Sequence, residues 1–517
     1  MKKILVILIF LPFAGFSQIL PLNPQPKKIA DKFFPDFDVD INTPAFNSDN
    51  YKRGFTNYEE MMTFLYELEK SNKALMNVSF IGESQKGKKI PLVTINNSKI
   101  NSNEKIKFWI QGGLHGDEPA STEGVLLIIQ KLLTDSKYSK YINSFHFEIV
   151  PMANIDGYER NYRNAINGLD LNRDQTKMRI PETKYLKRAF TEFGAEIAID
   201  FHEYRPIRRD FAKFSSFGIA SAYDVLFHYS GNLNVPIENR LITKNLFVSN
   251  ASKELNSLSL ENREYMTTRK YKGDIHFRQG TTTAISSTSS FALTNCISTL
   301  VEIRGVGIKK TSFKRRVMST FYVGMSFIKT AHENFEKVKS VAKNISNYND
   351  DIVVKAKPKI KNMTIKAIDI AENKKIDLDI LMQDLHDLDV EITRKRPIGY
   401  LVPKNLVEVI ERLDLLGVEM SEVENQREVV VEKYLVTDYF KEPVKYEGIY
   451  KQEILTELVR EEITLSEDYL IIKLNQKHSN LAVEVLEPET ASSFVSFNVV
   501  NTELSKMLPY LRIIEYK

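Results

Sequence analysis

The sequence predicts an α/β fold, with a mixed, mostly parallel sheet flanked by helices and followed by a smaller β-rich mixed domain. Three observations carry that expectation. From about residue 57 to residue 305, strand-like apolar runs alternate with apolar residues at helical spacing, which is the pattern of helices laid over a sheet. Beyond about Val353 the texture shifts to short β-rich runs. A chain of 517 residues also exceeds what one ordinary core accommodates, so more than one domain is expected.

Taken in order, the first residues "MKKILVILIFLPFAGFSQ" read as a secretory signal spanning 1–17. Lys2 and Lys3 form the basic start, Ile4 to Phe13 the apolar core, and Gly15 and Ser17 the small residues near the cut. The apolar core falls short of the roughly 20 residues that span a bilayer, so cleavage and a secreted or periplasmic location are expected, with no membrane span afterwards. Cys296 is the only cysteine and can form no intramolecular disulfide. Export without internal disulfides points to a bacterial envelope. A hydrophobic fraction of 43% and a charged fraction of 27% are those of a soluble globular protein, and 71 basic against 67 acidic residues leave no electrostatic case for nucleic acid.

Residues 18–50 form a Pro-, Asp- and Asn-rich lead-in. The catalytic domain expected over 51–345 begins with "NYEEMMTFLYELEKS", whose apolar spacing is helical. "ALMNVSFIGESQKGKKIPLVTINN" reads as two strands joined at a Gly-Lys turn. The alternation follows: "IKFWIQGG", "STEGVLLIIQKLL", "FHFEIVPMAN", "TKYLKRAFTEF", "EIAIDFHEY" and "STLVEIRG". One long amphipathic helix, Ser312 to Asn344, is expected to close the domain before the polar break "NISNYNDD". An α+β accessory domain is expected over 352–517, with "NLVEVIERLDLLG" as its clear helix.

The strand ends hold the chemistry. In open α/β sheets ligands bind at the carboxyl ends of the strands. "IKFWIQGG" runs into His115 and Glu118, "EIAIDF" into His202, and "STLV" into Glu302. Two imidazoles and one carboxylate form a catalytic zinc ligand set that keeps a fourth position for water. A lone His-x-x-Glu is weak; four motifs in order, "HGDE", "ANIDGYERNYRNAINGLDLNRD", "DFHEY" and "VEIRG", are specific.

Those motifs resemble the zinc carboxypeptidase family, peptidase family M14, over roughly residues 50 to 345. "RPIGYLVPKNLVEVIERLDLLGVEM" is similar to the tails of some secreted bacterial members. The resemblance implies that His115, Glu118 and His202 bind one Zn²⁺ per chain. It implies that Glu302 is the catalytic glutamate, moving a proton from water to the departing amine. It assigns Arg163 to the developing oxyanion and the pair Asn172 and Arg173 to the substrate's terminal carboxylate. Asp170 is implied to bond the far nitrogen of His115 and so fix its tautomer.

One departure stands out. The stretch "RQGTTTAISSTSSFALTNC" lacks the tyrosine that many members carry some twenty residues before the catalytic glutamate, and neither Tyr265 nor Tyr271 aligns with it. No residue is assigned to that role. The same stretch is small, hydroxyl-rich and uncharged between Gly280 and Cys296, so it offers no acid for a Lys or Arg side chain. Arg205, Arg208 and Arg209 follow the third ligand and read as a solvated face that could attract acidic groups. "HENFE" at His332 lacks a second histidine, and "GVG" at Gly305 lacks the spacing and lysine of a phosphate loop. The expected function is secreted, zinc-dependent removal of C-terminal residues from peptides. The alternatives are a zinc amidase or peptidase acting on cell-wall peptides, and a catalytically inactive binding protein on the same scaffold.

Overall fold

The computed structural model describes residues 25–47, 54–101, 104–343 and 351–517. The signal expected at 1–17, the polar break expected at 344–350 and part of the lead-in lie outside these described residues. Among them, no helix is long and apolar enough to cross a membrane.

The first long helix forms where its spacing predicts, over Tyr58–Ser71. Asn57 caps it: its side chain accepts from the Glu60 amide at 2.9 Å, and the Glu60 carboxylate accepts from the Asn57 amide at 2.9 Å. Its apolar face buries Met61, Met62, Leu65 and Leu68 against the sheet.

That sheet has eight strands. In spatial order they are Met76–Glu83, Lys89–Ile95, Phe145–Val150, Ile106–Gln111, Ile197–Tyr204, Ile297–Arg304, Val225–His228 and Asn262–Glu264. The four strands from Phe145 to Arg304 in this order run parallel. Parallel strands covered on both faces must be apolar on both, and the strand Ile197–Tyr204 is buried at every position. The helices Pro119–Thr134 and Phe313–Glu333 pack together over the sheet. Trp109 is fully buried and sits edge-on to Phe190 of helix Pro181–Phe193, ring centres 5.7 Å apart.

The single closing helix expected from Ser312 to Asn344 is instead two, Phe313–Glu333 and Phe335–Lys343. The break falls at Asn334, whose backbone leaves helical geometry while its side-chain amide donates to the Thr330 carbonyl at 2.8 Å. The second helix then anchors through Lys339, which reaches Glu196 at 2.9 Å and the Lys105 carbonyl at 2.7 Å.

After residue 351 the chain forms a long antiparallel ribbon, Ile352–Asp369 with Lys374–Arg394, rather than only the short strands its composition suggests. The ribbon completes a sheet begun by earlier residues. Lys374–Arg394 pairs in parallel with Asp274–Gln279, and Ile352–Asp369 pairs with Ile219–Ser221. A third, six-stranded sheet includes Glu428–Lys441 and Gln452–Thr464. One apolar cluster joins front and tail: Met178, Val235, Ala284 and Leu293 pack with Leu413, Leu481, Val485 and Phe494. Removing the tail therefore uncovers core. A chain ending at residue 345 is expected to lose upward of about 5 kcal/mol of apolar burial. A lower and less cooperative thermal transition, with self-association on size exclusion, is the predicted result; unchanged melting would contradict it.

Candidate metal centre and its cleft

Parallel pairing sets the first two site residues side by side. Glu302 of strand Ile297–Arg304 is directly opposite His202 of strand Ile197–Tyr204. Residues two apart on a strand share a face, so Asp200 lies on the His202 side, and Gln111 pairs with Asp200. The neighbouring strand Ile106–Gln111 thus ends at the same level and delivers the turn that carries His115 and Glu118.

That turn is held by backbone. The Ala153 amide donates to the Gly112 carbonyl at 3.0 Å and the Asn154 amide to the Gly113 carbonyl at 2.9 Å. Gly113 sits at φ +63°, a left-handed conformation that favours glycine. Gly116 passes so close to Gly157 that a Cβ would lie 2.1 Å from its carbonyl carbon. Glu118 then occupies the residue just before helix Pro119–Thr134, with Pro119 as a ready first helical residue. Its side chain makes no cap hydrogen bond and turns into the site.

Three side chains meet there. His115 Nδ1 lies 2.7 Å from Glu118 Oε1, His202 Nδ1 lies 2.8 Å from Glu118 Oε2, and the two Nδ1 atoms are 2.9 Å apart. All three residues are buried. The far nitrogens face carboxylates: His115 Nε2 is 3.0 Å from Asp170 Oδ1, and His202 Nε2 is 2.9 Å from Asp200 Oδ2. A ring that carries its proton on Nε2 presents a lone pair on Nδ1, so both lone pairs and the carboxylate face one point. This donor set, with its ligand atoms all within 4.8 Å of one another, fits a zinc ion.

The remaining residues singled out in the sequence gather on the same cleft. Asp170 begins a 3-10 turn, Leu171–Arg173. It bonds His115, the Asn172 amide at 2.7 Å, and Arg163, whose Nη2 donates to Oδ2 at 2.9 Å. Burial alone would raise the Asp170 carboxyl, but His115, Arg163 and Arg173 overcome it and hold it well below the usual carboxylate range. Arg163 Nη1 also reaches Glu118 at 3.4 Å. The Asn172 side chain accepts from the Ser287 amide at 2.8 Å. Arg173 donates to the Asn172 carbonyl at 2.8 Å. Arg304, two residues beyond Glu302, instead bonds Gln25 at 3.1 Å and stacks 3.8 Å above the Phe34 ring. Burial first, then the Glu118 carboxylate, push Glu302 up to about 7.

His115, Arg163, Asn172, Arg173 and Glu302 all open onto one cavity of about 670 Å³. Other residues on its wall were assigned no role from the sequence. Tyr265 lines it, stacked on His228 with ring centres 4.3 Å apart. Tyr446 lines it from the tail, beside Arg173. Its neighbour Glu447 accepts from the Asp170 amide at 3.0 Å and, through its carbonyl, from Arg179 at 2.8 Å. Contacts spanning some 270 residues leave no local pattern to find. Asp200 is different, because the i, i+2 spacing in "DFH" already put it beside His202.

Comparison with known proteins finds carboxypeptidases among those similar to this chain. Residues 61–215 match the family model described as zinc carboxypeptidase. Carboxypeptidase 2 of Trichophyton rubrum is 28% identical over 96% of this chain and 95% of its own length. Probable carboxypeptidase 2 of Arthroderma benhamiae is 29% identical over 87% of this chain and 88% of its own. The crystal structure of carboxypeptidase A from Helicoverpa armigera is similar over 55% of this chain and 75% of that one, with 18% identity and a TM-score of 0.41. Residues 61–215 thus match the zinc carboxypeptidases, peptidase family M14, and the chain as a whole is similar to proteins named carboxypeptidase 2.

Proposed function

We propose that this chain is a secreted, zinc-dependent carboxypeptidase that hydrolyses the last peptide bond of its substrates. The supporting observation is the convergence of His115, Glu118 and His202 on one point, with Glu302 in register beside His202 and Arg163 and Arg173 on the same cavity. The reading assigns 51–345 to catalysis and 352–517 to an accessory domain that helps wall the cleft. Export rests on the signal expected from the sequence at 1–17, which lies outside the described residues.

In this reading His115, Glu118 and His202 hold one zinc ion, which when bound polarises the scissile carbonyl and the attacking water. Glu302, in register beside His202, accepts the water's proton and returns it to the departing amine. Arg163, braced by Asp170, donates to the carbonyl oxygen as negative charge develops there. Asn172 and Arg173 hold the terminal carboxylate, and the guanidinium fork can bond both of its oxygens. That grip sets the last peptide bond over the metal and makes the enzyme an exopeptidase. Asp170 and Asp200 orient the two imidazoles.

Purified protein is expected to carry one zinc per chain, to lose peptidase activity on chelation, and to regain it when zinc is returned. Glu302→Gln should lower kcat by about 10²- to 10⁴-fold while the zinc content, read by elemental analysis, stays at one. A zinc-bearing wild type without activity on any peptide would favour a binding protein instead. Peptides with a free C-terminus should be cleaved and their amidated forms spared; Arg173→Leu should raise KM for the former by about 10- to 100-fold. Equal cleavage of both forms would remove the exopeptidase reading.

A further inference from the structure

The cleft wall is strongly cationic. Eight Arg and Lys side chains face it against four Asp and Glu. Several of the cations are answered locally: Arg163 pairs with Asp170, and Arg208 with Asp210 at 3.2 Å. Arg173 bonds a main-chain carbonyl and has no ion pair among the described residues; in the proposed reaction the substrate's α-carboxylate supplies it.

Arg205 and Arg269 line the cavity but are exposed to solvent, and the half-buried Arg278 is left over. It lies near the end of strand Asp274–Gln279, opposite Thr267 on one side and Gln383 on the other, so its backbone is held along both edges. Thr267 lines the cavity with it. Among the described residues Arg278 has no carboxylate partner and no side-chain hydrogen bond; the charged groups acting on it are Arg269 and Arg173. Burial and those two like charges work against its charged form. A guanidinium does not give up its proton in a protein, so the unfavourable field stays until an anion enters. The adjoining wall, with Thr281, Thr283 and Ser286, adds hydroxyls and no acid.

One substrate carboxylate answers Arg173 and leaves Arg278 unanswered. A residue with two carboxylates a few bonds apart answers both. We infer that the enzyme prefers a C-terminal residue bearing a second carboxylate, aspartate or glutamate, and that Arg278 reads that side chain. This inference rests on the exopeptidase reading above.

The test compares kcat/KM of the zinc-loaded full-length enzyme on matched peptides ending in Glu, Gln, Leu and Lys. A charge-assisted hydrogen bond to the guanidinium predicts Glu over its neutral isostere Gln by about 10- to 100-fold. That ratio should fall towards one in Arg278→Met and return in part in Arg278→Lys, with near-ultraviolet circular dichroism checking that each variant is folded. A wild-type Glu/Gln ratio near one, with all four peptides cleaved, overturns the inference and leaves the exopeptidase reading standing, and this arm needs no variant. An unchanged ratio in Arg278→Met, or an equal loss on all four peptides, overturns it as well, the latter marking Arg278 as a holder of the α-carboxylate. Cleavage of none of them removes the exopeptidase reading and this inference with it.

Discussion

Two imidazoles and a carboxylate, all buried and with ligand atoms within 3 Å of one another, are the constraint around which this protein is organised. Buried ionisable groups persist only where every polar atom is answered. Here Asp170 bonds the outer nitrogen of His115 and Asp200 lies 2.9 Å from that of His202, while the inner side presents a donor set of the kind that binds zinc. The parallel strands, the glycine turn and the helix start at Pro119 are arranged so that these groups can be held without slack.

The requirement propagates outward. Asp170 bonds His115, Arg163 and the Asn172 amide at once, so the first ring, the guanidinium and the segment bearing Arg173 move as one unit. Glu447 ties that unit to the tail through the Asp170 amide. The tail is therefore coupled to the centre by a hydrogen bond as well as by shared apolar core, and it supplies Tyr446 to the cleft wall. The relatives named carboxypeptidase 2 align over nearly the whole chain, tail included, whereas the family model stops at residue 215. A tail that walls the cleft gives a physical reason for the two halves to stay together.

Charge is distributed with the same economy. Net charge over the whole chain is only +4, yet the cleft wall is cationic because Arg and Lys from separate strands and from the tail face one cavity. Low-dielectric walls strengthen such a local field well beyond what overall composition indicates. The bulk numbers say nothing of this pocket.

What the sequence by itself determined was the set of short-range features. Helical spacing and the Asn57 cap mark Tyr58–Ser71, apolar runs mark the central strands, and "HGDE", "DFH" and "VEIRG" mark the residues at their ends, because each depends on neighbours within a few positions. The same local logic failed at Asn334, where a side chain competing for backbone bonds divided one expected helix into two. Tertiary structure alone decided the register that sets Glu302 beside His202, the pairing of Lys374–Arg394 with Asp274–Gln279, and the arrival of Tyr446 and Glu447 at a cleft built mostly from residues far earlier in the chain. Strand pairing and charge compensation act between groups that only folding brings together, so no window of sequence contains both partners.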